Sequence, residues 1–192
     1  MNDEHVLLCI LGRSASGKDT LVNRLCERTG LKQIISYTTR ERRENEGDTH
    51  IFITNEQYNY LEQSGQIAAF TQIGRYKYCC TINQLYENDI YVIDWEGVNS
   101  LRKLNLPNLR LVTVFINVPD DVREERALKN RGDDRVKWRE RNIAERDQFR
   151  NMLRNADFDY SVSNISFANA YSILKHISIV EGVWKNHMED ST

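Results

Sequence analysis

The chain has 192 residues, a formal charge of −2, and 40% hydrophobic and 28% charged side chains, proportions of a globular domain large enough for a substantial core. The near-neutral balance excludes a general attraction to nucleic acid or anionic lipid, and no apolar run approaches the roughly 20 residues that cross a bilayer. The acidic start Met1-Asn2-Asp3-Glu4 is unlike the basic head of a signal peptide. The expectation is a cytoplasmic protein, monomer or homodimer, with no nucleic-acid or membrane partner.

The first predicted element is a buried strand, Val6-Leu7-Leu8-Cys9-Ile10-Leu11, and an amphipathic helix closes at Thr29-Gly30. Between them lies Gly12-Arg13-Ser14-Ala15-Ser16-Gly17-Lys18-Asp19-Thr20, a strand–loop–helix passage with the spacing of a phosphate-binding P-loop. Gly12 and Gly17 allow backbone conformations that a Cβ would obstruct, so the N–H groups of Ser14, Ser16 and their neighbours can converge on one anion. Lys18 adds a mobile positive charge. Asp19 stands where Ser or Thr usually holds Mg2+, with Thr20 one position later. The loop predicts that the chain binds a nucleotide phosphate.

A short strand is expected near Ile34-Ile35-Ser36, a helix from Asn55 to Gly65, and an antiparallel pair over Gln66–Ile73 and Arg75–Thr81. Ile90–Asp94 reads as a buried strand ending in a carboxylate, followed by a helix over Val98–Lys103. Leu111–Ile116 reads as a central parallel strand, and Pro119-Asp120-Asp121 as a helix start with acids on the positive end of the dipole. A charged helix over Asp133–Arg154, a strand near Tyr160–Val162, a helix from Phe167 to about Val183 and a frayed tail over 185–192 complete the chain. The alternation predicts an α/β fold, a doubly wound parallel sheet with ligands at the carboxyl ends of its strands. Of the four cysteines, Cys9 and Cys26 fall on apolar faces, and the adjacent Cys79 and Cys80 suit free thiols better than a disulfide.

Ser36-Tyr37-Thr38-Thr39-Arg40-Glu41-Arg42-Arg43 places two arginines three apart, a spacing able to clamp a phosphate monoester. With the P-loop, Ile93-Asp94-Trp95-Glu96-Gly97 and Phe158-Asp159-Tyr160-Ser161-Val162-Ser163-Asn164, this segment resembles the guanylate kinase family from about Val6 to Val183. The resemblance implies one domain over 1–184: a core of 1–33 and 89–184, an inserted acceptor-binding lobe of about 34–88, and a helical lid of about 131–142. It implies ATP on the P-loop residues Gly12, Ser14, Ser16, Gly17, Lys18, Asp19 and Thr20. Ser36, Arg40, Arg43, His50, Tyr78, Cys80 and Asp94 would hold the acceptor nucleotide, and Mg2+ would sit near Thr20 and Asp94. Lys18, Asp94, Arg131 and Arg141 would be the catalytic groups.

Three positions depart from the family pattern. The family's guanine-contacting Glu falls at Ala69, its Ser or Thr at Cys80, and an aromatic at His50. The function expected is transfer of the γ-phosphoryl group of ATP to GMP or dGMP. Two alternatives stay open at the level of sequence. One is a kinase of the same fold for another acceptor, either another deoxynucleotide or ribose 1,5-bisphosphate, and the other is a non-catalytic module that binds a phosphopeptide.

Overall fold

The computed structural model describes residues 4–42, 50–130 and 132–185. The first apolar run forms β1 (His5–Leu11), whose Leu7, Cys9 and Leu11 enter one hydrophobic interior while Leu8 and Ile10 enter another. A strand buried on both faces must be central. β1 accordingly lies between β6 (Ile90–Val92) and β7 (Leu109–Asn117), with β8 (Tyr160–Ser163) beyond β7, all parallel. Helices α1 (Lys18–Thr29) and α7 (Phe167–Val180) cover the face of Leu8 and Ile10 with Leu21, Leu25, Leu174 and Ile177. On the other face, α4 (Trp95–Leu104) and α6 (Arg135–Asn155) contribute Trp95, Val98, Phe149 and Met152. Each fully buried side chain of this kind contributes about 1.5–3 kcal/mol. This is the doubly wound arrangement expected from the pattern of elements.

A second sheet has the order β3-β2-β5-β4: β2 (Tyr37–Thr38), β3 (Ile51–Phe52), β4 (Ile67–Ile73) and β5 (Tyr76–Thr81). The expected antiparallel pair is β4 with β5, turning at Gly74 with φ +60°. Helix α2 (Asn55–Gln63) begins at Thr54 in a capping box with Gln57. Ala68, Ala69 and Cys80 of this small sheet share an interior with Leu7 and Cys9, so the two sheets are joined by one hydrophobic core.

The structure differs from expectation between Ile34 and Ser36. Gln33 makes one bridge to Ile90, and the Ile34 N–H donates to the Ile90 carbonyl, after which the chain leaves the main sheet. Regular pairing starts only at Tyr37, against β3 and β5. Two elements were not anticipated, β3 and α3 (Ile82–Glu87), the latter opened by a Thr81/Gln84 capping box. Helix α7 stops at Val180, where the Gly182 N–H caps the Ile179 carbonyl in a left-handed turn at φ +75°. The tail 186–192, Arg43 and Arg131 lie outside the described residues. Among those described, no helix is long and apolar enough to cross a membrane.

After β7 the chain turns through Pro119 into α5 (Asp120–Glu125), which continues as a π-helical turn, Arg126–Asn130. The acid expected to complement the helix dipole has a larger task. Asp120 pairs with Arg13 at 2.9 Å, Arg123 at 2.8 Å and Arg146 at 3.0 Å, joining the P-loop, α5 and α6. Burial opposes ionisation of Asp120, but hydrogen bonds from Arg123 and Arg146 and the charge of Arg13 outweigh it and take the carboxyl down to about 2. A depressed folded-state value stabilises the fold above the ordinary carboxylate range, and that stabilisation disappears as the pH falls through the depressed value. Urea melts should therefore show Asp120→Asn less stable than the wild type at pH 7, with the gap narrowing from about pH 4 toward pH 2. A gap that is constant across that range would refute the charge network as its source.

All four cysteines are free thiols. Burial pushes Cys9 and Cys79 up to about 12 and Cys80 up to about 11, whereas Cys26 is half-buried and raised less. Because the thiolate is the reactive form, a disulfide reagent applied to the native protein should titrate Cys26 first. The other three should react only on unfolding, as read by mass spectrometry of the labelled peptides.

Candidate active site

At the carboxyl end of β1 the P-loop reverses the chain through two left-handed residues, Ala15 at φ +60° and Gly17 at φ +78°. A Cβ at Gly17 would approach the Asn164 side-chain nitrogen to 2.6 Å, and one at Gly12 would approach Ser16 Oγ to 2.7 Å. Glycine is therefore required at both places by close approach, and at Gly17 by its dihedral angle as well. No side chain caps α1 at Gly17, so its first-turn N–H groups remain open to an anion, where the helix dipole favours one. Asn164, just after β8, braces the loop from behind by donating to the Ser16 carbonyl at 2.8 Å.

Two clefts meet at Lys18. The first lies against the P-loop, lined by Ser14, Ala15, Gly17, Lys18, Asp19, Thr20, Arg126 and Asn130. The second opens between the two sheets, and its walls include Gly12, Lys18, Ser36, His50, Ala69, Thr71, Tyr78, Tyr91, Asp94, Glu145 and Gln148. Residues from both ends of the chain converge there because β1, β6 and β7 all end at this edge of the sheet. Asp94 is at once a helix cap and a cleft residue: its Oδ1 accepts from the Gly97 N–H at 2.7 Å and the Thr71 hydroxyl at 3.2 Å. A Cβ on Gly97 would meet Ile93 at 2.6 Å, so glycine lets α4 start this close to the strand end. Ser36 Oγ donates to the Tyr91 hydroxyl at 3.2 Å, and His50 sets its ring edge-on to Tyr78 at 5.6 Å.

Most of the sequence-predicted residues are gathered here: Gly12, Ser14, Gly17, Lys18, Asp19 and Thr20 on the loop side, and Ser36, His50, Tyr78 and Asp94 on the other. Four side chains are placed differently. Ser16 is buried within the loop, and its hydroxyl has no partner among the described residues. Cys80, expected on the acceptor wall, is fully buried, with its thiol hydrogen-bonded to Tyr91, because β5 turns this position into the shared interior. Arg40 is buried on the small sheet, donating to the Glu41 carbonyl at 2.9 Å with its guanidinium over Phe52. Arg141 pairs with Asp133 at 3.4 Å on an exposed stretch of α6. Arg43 and Arg131 fall outside the described residues.

Sequence reasoning missed Tyr91, Arg126 and Glu145 as cleft residues. Arg126 and Glu145 belong to a long mixed-charge run in which composition offers no way to choose. Spacing was the available signal, since Arg141, Glu145 and Gln148 stand at i, i+4 and i+7, on one helical stripe. No group of three or more His, Cys, Asp or Glu among the described residues could hold a metal by itself.

A profile of the guanylate kinase family matches residues 4–180. The guanylate kinase of Wolbachia pipientis wMel is 32% identical over 182 residues, covering 86% of this chain and 90% of that protein. The guanylate kinase of Wolbachia sp. subsp. Brugia malayi (strain TRS) is 31% identical over 182 residues, covering 86% and 92% respectively. The crystal structure of guanylate kinase from Anaplasma phagocytophilum matches with a TM-score of 0.65 at 22% identity, over 97% of this chain and 92% of its own, a likeness of fold. With a P-loop on β1 and sequence similarity that runs through both sheets, the chain belongs to the guanylate kinase family of phosphoryl-transferring enzymes.

Proposed function

We propose that the chain transfers the γ-phosphoryl group of ATP to GMP or dGMP, releasing ADP and the corresponding diphosphate. The observation that carries this reading is the position of Lys18, which lines both the P-loop cleft and the cleft between the sheets. A phosphoryl group held there would be within reach of donors on one side and an acceptor on the other. The acceptor phosphate oxygen attacks the γ-phosphorus in line while its bond to the β–γ bridging oxygen breaks. No covalent enzyme intermediate is required, and the protein supplies position and charge.

Chemistry supports the following roles, joined by cleft placement for Lys18, Ser36, His50, Tyr78 and Asp94 and by the family resemblance alone for Arg40, Arg43, Arg131 and Arg141. The N–H groups of Gly17, Lys18 and the first turn of α1 would hold the β- and γ-phosphates, with Lys18 following the charge of the transferring group. Ser36, His50, Tyr78 and the clamp Arg40 and Arg43 would hold the acceptor. Arg131 and Arg141 would stabilise the transferring group from the lid of about 131–142, closing over a core of 1–33 and 89–184 and an acceptor lobe of about 34–88. Mg2+ suits the oxygen donors Asp19, Thr20 and Asp94, because this ion is ordinarily held by one or two carboxylates together with substrate phosphates. When bound with the nucleotide it neutralises the oxygens of the β- and γ-phosphates. Ala69 offers no carboxylate to the base, so Asp94 and Glu145 are the acids that line the acceptor cleft.

Coupled ADP release should be fastest with GMP or dGMP among a panel that includes AMP, other monophosphates and ribose 1,5-bisphosphate. A higher rate with any other acceptor would reassign the substrate. Lys18→Met should lower kcat by about 100- to 1,000-fold, the effect of losing one fixed charge-stabilising donor. Gly17→Ala should destabilise the fold by about 1–2 kcal/mol, the usual penalty of a left-handed alanine, and abolish ATP binding in calorimetry. Retention of normal ATP affinity by Gly17→Ala would remove the P-loop from the mechanism.

A further inference from the structure

Ser14, at the tip of the P-loop, is held on every polar atom by the helices that follow β7. The carboxylate of Glu145 on α6 accepts from the Ser14 backbone N–H at 2.8 Å and, through its other oxygen, from the Ser14 hydroxyl. From the opposite side Arg123 on α5 donates to the Ser14 carbonyl at 3.1 Å, and its guanidinium lies 3.7 Å from Glu145. Arg123 is itself 1% exposed, fixed by Asp120 and by the Asn142 side chain at 2.5 Å, with its plane over Trp138. The next residue, Ala15, sits at φ +60°, a conformation an alanine keeps only where its surroundings enforce it. The loop tip therefore takes its shape from α5 and α6.

Arg141 lies one helical turn before Glu145, about 6 Å along the axis of α6, on the stripe that continues into the cleft at Gln148. We propose that Glu145 is a positioning residue: its grip on Ser14 sets where α6 stands over the P-loop and so delivers Arg141 to the transferring phosphoryl group. This rests on the kinase reading above. Glu145 need not touch a substrate for this role. Its charge is balanced by Arg123, and it acts through the rigid turn of helix that connects it to Arg141. A rigid link of this kind changes the transition state more than substrate binding, because only the γ-phosphoryl group meets Arg141.

The test is steady-state kinetics of the full chain with Mg-ATP and GMP for wild type, Glu145→Gln, Glu145→Ala, Arg141→Ala and the Glu145→Ala/Arg141→Ala double variant. Glu145→Ala should lower kcat about tenfold or more, the scale of one charge-assisted hydrogen-bond pair, with KM for GMP within about twofold. Glu145→Gln keeps the shape and one acceptor oxygen but loses the charge beside Arg123, so it should be less stable than the wild type in urea melts yet folded at assay temperature, and show a smaller loss of kcat in the same direction. The double variant should be no slower than Arg141→Ala alone. Multiplying losses would show that Glu145 acts independently of Arg141. An unchanged or raised kcat in both Glu145 variants would make the contact an ornament or a brake. Either result overturns the proposal while a turning-over wild type leaves the kinase reading intact, whereas a wild type inert toward GMP overturns both.

Discussion

A guanidinium buried to 1% exposure constrains everything built around it. Arg123 sits beneath the P-loop, where an unpaired charge would be prohibitive. The surrounding sequence surrounds it with Asp120, Glu145, the Asn142 amide and the Ser14 carbonyl. Asp120 lies on the helix of Arg123 itself, Asn142 and Glu145 on α6 and Ser14 on the P-loop, so neutralising one charge brings α5, α6 and the loop after β1 together. Such a cluster contributes little net stability over an apolar core of equal volume, but removing any one member is costly because the others remain buried. The geometry of the nucleotide side of the site depends on this network being complete.

The other side of the site depends on hydrophobic contact. Ala68, Ala69 and Cys80 carry the small sheet into the interior that also holds Leu7, Cys9 and Phe149. The residues facing the cleft from β4 and β5 are thus anchored by packing, with Thr71 adding a polar tie to Asp94. Two kinds of cohesion meet at Lys18: a charge network on the loop side and a shared core on the side of the small sheet.

Much of this arrangement was legible in the sequence because it follows from short-range rules. The P-loop needs Gly at 12 and 17, β1 needs an unbroken apolar run, and the Asp94 strand end announces itself by an apolar triplet followed by an acid. From β4 to α7 the positions of the elements along the chain followed from periodicity and capping residues, apart from the short helix α3 and the last turn expected of α7. Failures came where tertiary pairing decides. Ile34–Ser36 is apolar and β-prone, yet it leaves the main sheet after one bridge because Ser36 is needed by the small sheet, whose Ile51 N–H donates to its carbonyl. Cys80 matches a family position and shares the strand face of Tyr78, but it lies one pair deeper along β5, where the core shared by the two sheets covers it. Glu145 was hidden among alternating charges, and only the long-range approach of α6 to Ser14 distinguishes it from its exposed neighbours.

Asp94 shows how a helix cap can ration a carboxylate. Its Oδ1 already carries the Gly97 N–H and the Thr71 hydroxyl, so Oδ2 is the oxygen left to face the cleft. A carboxylate with one oxygen committed can join a cation or a ligand through a single contact, and it cannot offer the parallel pair of acceptors that matches two neighbouring N–H groups on a purine edge. The spacing between Ile93 and Gly97, too small for one methyl group, thereby sets what a carboxylate across the helix start can still do: it fixes the turn that commits one of its two oxygens.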